Sequence, residues 1–171
     1  MKRIRLKLSA AGIDRAISEL RAYKSKVESL AVRLVDELTA SGEQIARQET
    51  ADIRMTGELQ NSITRDFGGR MGSVRCNCGY AVYVEFGTGV KGKGSPHPDV
   101  AILGWIYDVN NHGELGWWYP TDDTDTNPTK RRSKNGTLYA WTKGMPSRPF
   151  MYNTAERLRA EIIPTAKELL K

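Results

Sequence analysis

Few residues in this chain have the type and spacing to do chemistry. Glu85 is the one acid inside an apolar run, Tyr80-Ala81-Val82-Tyr83-Val84-Glu85-Phe86-Gly87-Thr88-Gly89. An acid in such surroundings can have a shifted proton affinity and serve as a general acid or base. A buried acid more often satisfies backbone donors or an arginine, and Arg148 is the expected partner, as a structural clamp. The only histidines, His97 and His112, fall in different loops, and neither has a plausible acid partner nearby in the sequence. Cys76 and Cys78, on a strand, would point to one side with Cα atoms about 6.5–7 Å apart, the outer edge of disulfide geometry. Their spacing from the histidines fits no zinc pattern, so they read as small buried hydrophobes in a reducing cytosol. Asp122, Asp123 and Asp125 resemble the start of a calcium loop, but no glycine and closing Glu follow at the required spacing. The glycines around Lys91 and Lys93 do not follow a strand in a phosphate-binding register, and there is no nucleophile elbow. The sequence therefore points away from catalysis and predicts neither a cofactor nor a metal.

These residues depend on the elements that carry them. The chain of 171 residues suits one domain with a sizeable core. Met1 to Leu8 alternates, with Ile4, Leu6 and Leu8 on one face and a basic opposite face, as in a half-buried edge strand. From Ile13 to Ile45 the apolar residues fall three or four apart, which predicts one long helix or two consecutive ones, with Ser41-Gly42 the expected kink or break. Its stripe is expected to cover a sheet; the competing reading is a coiled-coil seam. Thr56 is placed to cap a short turn anchored by Leu59 and Ile63. A hairpin follows, turning at Gly68-Gly69, with Val74, Cys76 and Cys78 on one face of the return strand. Tyr80 to Phe86 reads either as a strand, favoured by propensity, or as a helical turn ended by Gly87.

Of the 16 glycines, 14 lie between Gly57 and Gly144, and all four tryptophans lie between Trp105 and Trp141. Helical ends around a turn-rich, aromatic middle predict an α+β domain: an antiparallel sheet packed against a long N-terminal and a C-terminal helix, with an aromatic hairpin insertion over about residues 90–143. Val90 to Pro98 is too rich in Gly and Pro for regular structure. Residues 104–109 read as a strand, and residues 116–120 should pair with 137–142 around a solvated tip carrying Lys130, Arg131, Arg132 and Lys134. Asn153 with Glu156 reads as a helix start, and Pro164 as a kink or restart. The seven Trp and Tyr residues of the insertion serve either an interface or a hairpin packed on itself. A net charge of +6 permits weak polyanion contact. No apolar run approaches the roughly 18 residues of a membrane span, and no apolar stretch follows Met1-Lys2-Arg3, so neither a membrane segment nor export is expected.

Three motifs then stand in order: Thr56-Gly57-Glu58-Leu59 with Ser62-Ile63; Tyr80-Ala81 with Tyr83-Val84-Glu85-Phe86-Gly87-Thr88-Gly89; and Gly144-Met145-Pro146-Ser147-Arg148-Pro149-Phe150-Met151. Together they resemble the gene-product-ten-like family of long-tailed phages, small neck or tail-completion proteins of the head–tail junction, over nearly the whole chain. The chain lacks the prolines common in that family before the Thr-Gly motif and before Ala155. The resemblance implies a virion assembly protein, not an enzyme, made in the bacterial cytoplasm. It implies a ring of copies of itself between the connector and the tail tube, with a hexamer the expected form and the assembled particle its expected place of formation, and at most incidental DNA contact. Within it, Thr56, Gly57, Leu59, Tyr80, Ala81, Glu85, Phe86, Gly87, Thr88, Arg148, Pro149 and Phe150 would form the motif core. Trp105, Trp117, Trp118, Tyr119, Lys130, Arg131, Arg132 and Trp141 would meet neighbouring subunits or partners. On this view Tyr80–Phe86 is a helical turn buried under the long N-terminal helix. The competing readings are a basic nucleic-acid-binding module of a mobile element and a small hydrolase using Glu85.

Overall fold

The computed structural model describes residues 9–53 and 57–171. The expected strand at Met1–Leu8 and the expected cap at Thr56 lie outside the described residues. Helix α1, Ala10–Glu49, starts where Ser9 Oγ accepts the Gly12 N–H at 3.2 Å. It does not break at Ser41-Gly42. Gly42 is buried against helix α6, Phe150–Leu169, where a Cβ would lie 2.8 Å from Leu158 Cδ1 and 3.0 Å from Val74 Cγ2. Close approach to a second helix, rather than a bend, is what the glycine permits. Ser41 Oγ donates to Glu161 Oε2 at 2.6 Å beside it.

The two helices run antiparallel. Asn153 Nδ2 and Arg157 Nη1 donate to the Glu49 carboxylate at 3.0 and 3.1 Å. At the other end Ala166 and Leu169 lie beside Val27, Leu30 and Leu34. Asn153 is thus not a helix start: α6 begins at Phe150, and Asn153 is committed to α1. Pro164 does not end α6, which continues to Leu169; the packing of its last turns on α1 offsets the lost backbone bond.

Next come a short helix α2 (Glu58–Asn61) and a hairpin of β1 (Ile63–Phe67) and β2 (Gly72–Cys76), paired from Ile63↔Cys76 to Phe67↔Gly72. The hairpin was expected, but Cys78 lies past the strand, in a core with Leu59, Val84 and Phe150. Arg47 fixes α1 to this unit by donating to the carbonyls of Gln60 at 3.0 Å and Ile63 at 2.6 Å. The expectation that α1 covers a sheet holds for its second half only, which meets the hairpin and α6; from Ile13 to Val27 its stripe is exposed.

The run from Tyr80 to Phe86 is helical rather than extended: α3 (Ala81–Phe86) ends at Gly87 with φ 76°. This helix packs on the start of α6, through Val84 and Phe150, and not beneath α1. Two other expectations fail in the insertion. The glycine-rich segment forms a helix, α4 (Gly89–Gly94), because Gly89 and Gly92 let its backbone press on Lys143, Trp117 and Tyr107, and this packing outweighs poor propensity. Residues 104–109 are not a strand: after a turn of helix α5 (Val100–Leu103) they wrap back, with Tyr107 O accepting the Gly89 N–H at 2.8 Å. Beyond them β3 (Trp117–Thr121) and β5 (Leu138–Thr142) pair antiparallel, as the sequence predicts. The tip is solvent-exposed as expected, and it also supplies a third strand, β4 (Lys130–Arg132), in the order β3-β5-β4. The architecture is α+β, with antiparallel sheets and two long helices. Among the described residues no helix is long and apolar enough to cross a membrane.

Candidate functional site

The second and third motifs meet around Glu85. Helix α6 starts after Pro149, which offers no side-chain cap, so its first N–H groups need partners from elsewhere. Glu85, 7% exposed, supplies them. Its Oε2 accepts the Met151 N–H at 2.9 Å, and its Oε1 accepts the Tyr152 N–H at 2.9 Å. A carboxylate at a helix N-terminus also favours the positive end of the helix dipole. The chain segment leading into α6 is fixed in parallel: Arg148 N–H donates to Val84 O at 2.9 Å, and Ser147 Oγ to Glu85 O at 2.5 Å. Thr88 and Met145 exchange two backbone bonds of 2.9 and 3.1 Å.

The third donor to Glu85 is His97, 3% exposed, whose Nε2 lies 3.1 Å from Oε1. Its Nδ1 accepts the Asp99 N–H at 3.0 Å, which places the ring proton on Nε2, aimed at the carboxylate. Arg148, the partner expected from the sequence, has an exposed side chain and contributes its backbone only. The expectation that neither histidine has an acid partner also fails, and His112 sits 3.5 Å from Asp108. Proximity in sequence could not reveal Glu85–His97, because α4 loops back before His97 arrives.

An aromatic cluster seals the clamp. Phe86 packs on His97 with centroids 4.5 Å apart and stacks on Trp105 at 5.1 Å. Trp105 Nε1 donates to Gly87 O at 3.0 Å. Gly87 admits no side chain, since a Cβ would stand 2.6 Å from Ser147 N and 2.8 Å from Met145 O. Thus Tyr80, Ala81, Glu85, Phe86, Gly87, Thr88, Arg148, Pro149 and Phe150 are brought together, with Leu59 in the same core. Gly57 stands at the entry to α2, in a left-handed conformation.

The aromatic sheet divides the other candidate residues. Trp117 stacks on His112 at 4.9 Å and turns toward α4. Tyr119 donates to Asp125 Oδ2 at 2.7 Å on the same face. Trp118 and Trp141, paired in register, meet edge to face at 5.3 Å on the opposite face, where the Arg131 guanidinium lies 4.2 Å from the Trp118 ring centre. Lys130 Nζ is held by Asp125 O, and Arg132 donates to Gly136 O at 2.9 Å. The basic cluster is therefore largely tied into its own loop. All four tryptophans are half-buried.

The sequence reading missed a more exposed surface. Ile102, Leu103, Ile106, Val109 and Leu115 are 59–82% exposed, all on the part of the insertion that runs from α5 to β3. Part of the signal was in the sequence: Ile102, Ile106 and Val109 fall four and three apart, an apolar face at odds with the strand expected over residues 104–109. Among the described residues no group of three or more His, Cys, Asp or Glu is placed to hold a metal ion. Compared with models of known families, with curated proteins and with solved structures, the chain gives no match.

Proposed function

We propose that this chain is a structural protein of a tailed phage or prophage particle: a tail-completion or neck component at the head–tail junction, not an enzyme. It works in the assembled virion as a ring of copies, six by the resemblance, between the connector and the tail tube. The three motifs support this reading by their order. The observation that carries it is the insertion surface of Ile102, Leu103, Ile106, Val109 and Leu115, at least 59% exposed. Large aliphatic side chains exposed this close together in sequence supply the apolar area that an interaction site needs. Ring closure needs two different patches on each copy, and the exposed aliphatic side chains of the insertion supply one of them. The Glu85 clamp fits the same role, since it ties His97, inside the insertion, to the start of α6.

The test is a double substitution, Ile102→Glu with Leu115→Glu, in a phage or prophage that carries this gene. Both side chains are solvent-exposed, so the purified variant should keep its thermal midpoint within about 2 °C. Heads and tails should then accumulate unjoined. Normal yields of joined particles would overturn the proposal.

A further inference from the structure

The exposed half of α1 carries a seam of its own. Ile13, Ile17, Leu20, Lys24 and Val27 follow alternating steps of four and three residues, the spacing of a coiled-coil core. The same register continues through Ala31, Leu34 and Leu38, where the seam runs beside α6 and Leu34 and Leu38 are half-buried. Cover ends with the last turn of α6, at Leu169 and Leu170 beside Val27. Beyond that point Ile13, Ile17, Leu20 and Val27 are 44, 42, 54 and 43% exposed. The apolar seam of α1 thus continues for some 18 residues, or about 27 Å of helix, past the end of α6, with no second helix along it among the described residues.

We propose that a second copy of this chain lays its own α1 antiparallel along this stretch, forming a two-fold dimer through residues 10–27 of both. Charge selects the arrangement. With Ile17 opposite Leu20 of the partner subunit, Asp14 faces Arg21 of the partner subunit, and by symmetry the pair occurs twice. Moving one heptad toward the body sets Arg21 against Arg21 and Asp14 against Glu28. Moving one heptad outward sets Asp14 against Asp14. A parallel pairing in register would bury Lys24 against Lys24. The antiparallel register instead places Lys24 opposite Ile13, near the end of the overlap, where its stem can lie along the seam and its amine reach water. The overlap is short, so the dimer belongs with small, concentration-dependent interfaces. It does not depend on the role proposed above.

Analytical ultracentrifugation of the full chain, from about 10 to about 500 µM, tests this over the range expected of a small interface. The wild type should move from monomer toward twice its mass. Ile17→Glu with Leu20→Glu should stay monomeric at every concentration with unchanged helical circular dichroism, because neither side chain is buried. Asp14→Arg should weaken the dimer roughly tenfold, and Asp14→Arg with Arg21→Asp should restore it. A wild type that remains monomeric throughout would overturn the pairing, including the case in which residues 1–8 cover the seam. A dimer unaffected by the Ile17/Leu20 change, or a charge swap that fails to restore it, overturns the proposed surface or register. None of these results bears on the tail-joining test.

Discussion

Glu85 and His97, twelve residues apart in sequence and both buried, meet at 3.1 Å between Oε1 and Nε2, and the same carboxylate caps the helix that begins at Phe150. One side chain thereby joins α3, the loop after α4, and α6. Glu85→Gln preserves the shape but replaces one acceptor oxygen with a donor that faces other donors. Leaving buried donors unmet costs about 1–3 kcal/mol. The thermal midpoint should fall by roughly 4–8 °C for a loss near 2 kcal/mol in a chain of this length. Scanning calorimetry checks this, and an unchanged midpoint would show that the three donors do not rely on the charge.

Gly87 and Gly136 separate two causes of glycine dependence. Both have positive φ, 76° and 88°, so alanine strains both backbones by about 1–2 kcal/mol. Only at Gly87 would the new Cβ also meet backbone, 2.6 Å from Ser147 N; at Gly136 it meets nothing within 4 Å. Gly136→Ala should therefore cost about 1–2 kcal/mol. Gly87→Ala should cost clearly more, or prevent folding, because the Glu85 clamp cannot close. Urea unfolding of the two variants side by side gives the comparison, and equal losses would contradict the packing argument.

Asp125 organises the turn between β3 and β4, accepting from Thr121 Oγ1 at 2.6 Å, Tyr119 OH at 2.7 Å and the Asn127 N–H at 2.7 Å. The Thr121 hydroxyl first, then Tyr119 and the Asn127 amide, hold its carboxyl below the usual 3.8. The ionised form is thus favoured by the fold. Its contribution to stability is complete above 3.8 and is lost as the pH falls through the lower, folded value. Asp125→Asn should be less stable than wild type at neutral pH, with the gap narrowing on acidification. Urea midpoints measured across that range test the sign, and a gap that widens at low pH would refute it.

Local features of the fold were legible in the chain itself. The three-and-four spacing from Ile13 to Ile45 encodes α1, the alternation around Gly68-Gly69 encodes the β1–β2 hairpin, and the aromatic runs on either side of the tip encode β3 and β5. In each case the signal lies within one element, where a repeat of 3.6 or 2 sorts side chains onto a face. The motif core was also legible, but as a set of residues without a geometry.

The tertiary structure decided everything that depends on what stands opposite. A stripe states that one face of α1 is apolar, but not where its cover stops. That point is set by the length of α6, and it leaves Ile13 to Val27 open. Gly42 looks like a helix breaker until Leu158 is placed against it. Glu85 in an apolar run predicts a partner, and the nearest cation in the motifs, Arg148, was the natural choice. The actual donors are two backbone amides and His97, brought in by the path of α4 and α5. Hydrogen-bond partners across such separations are chosen by where loops carry the chain, and loop paths are fixed by packing that no local period records.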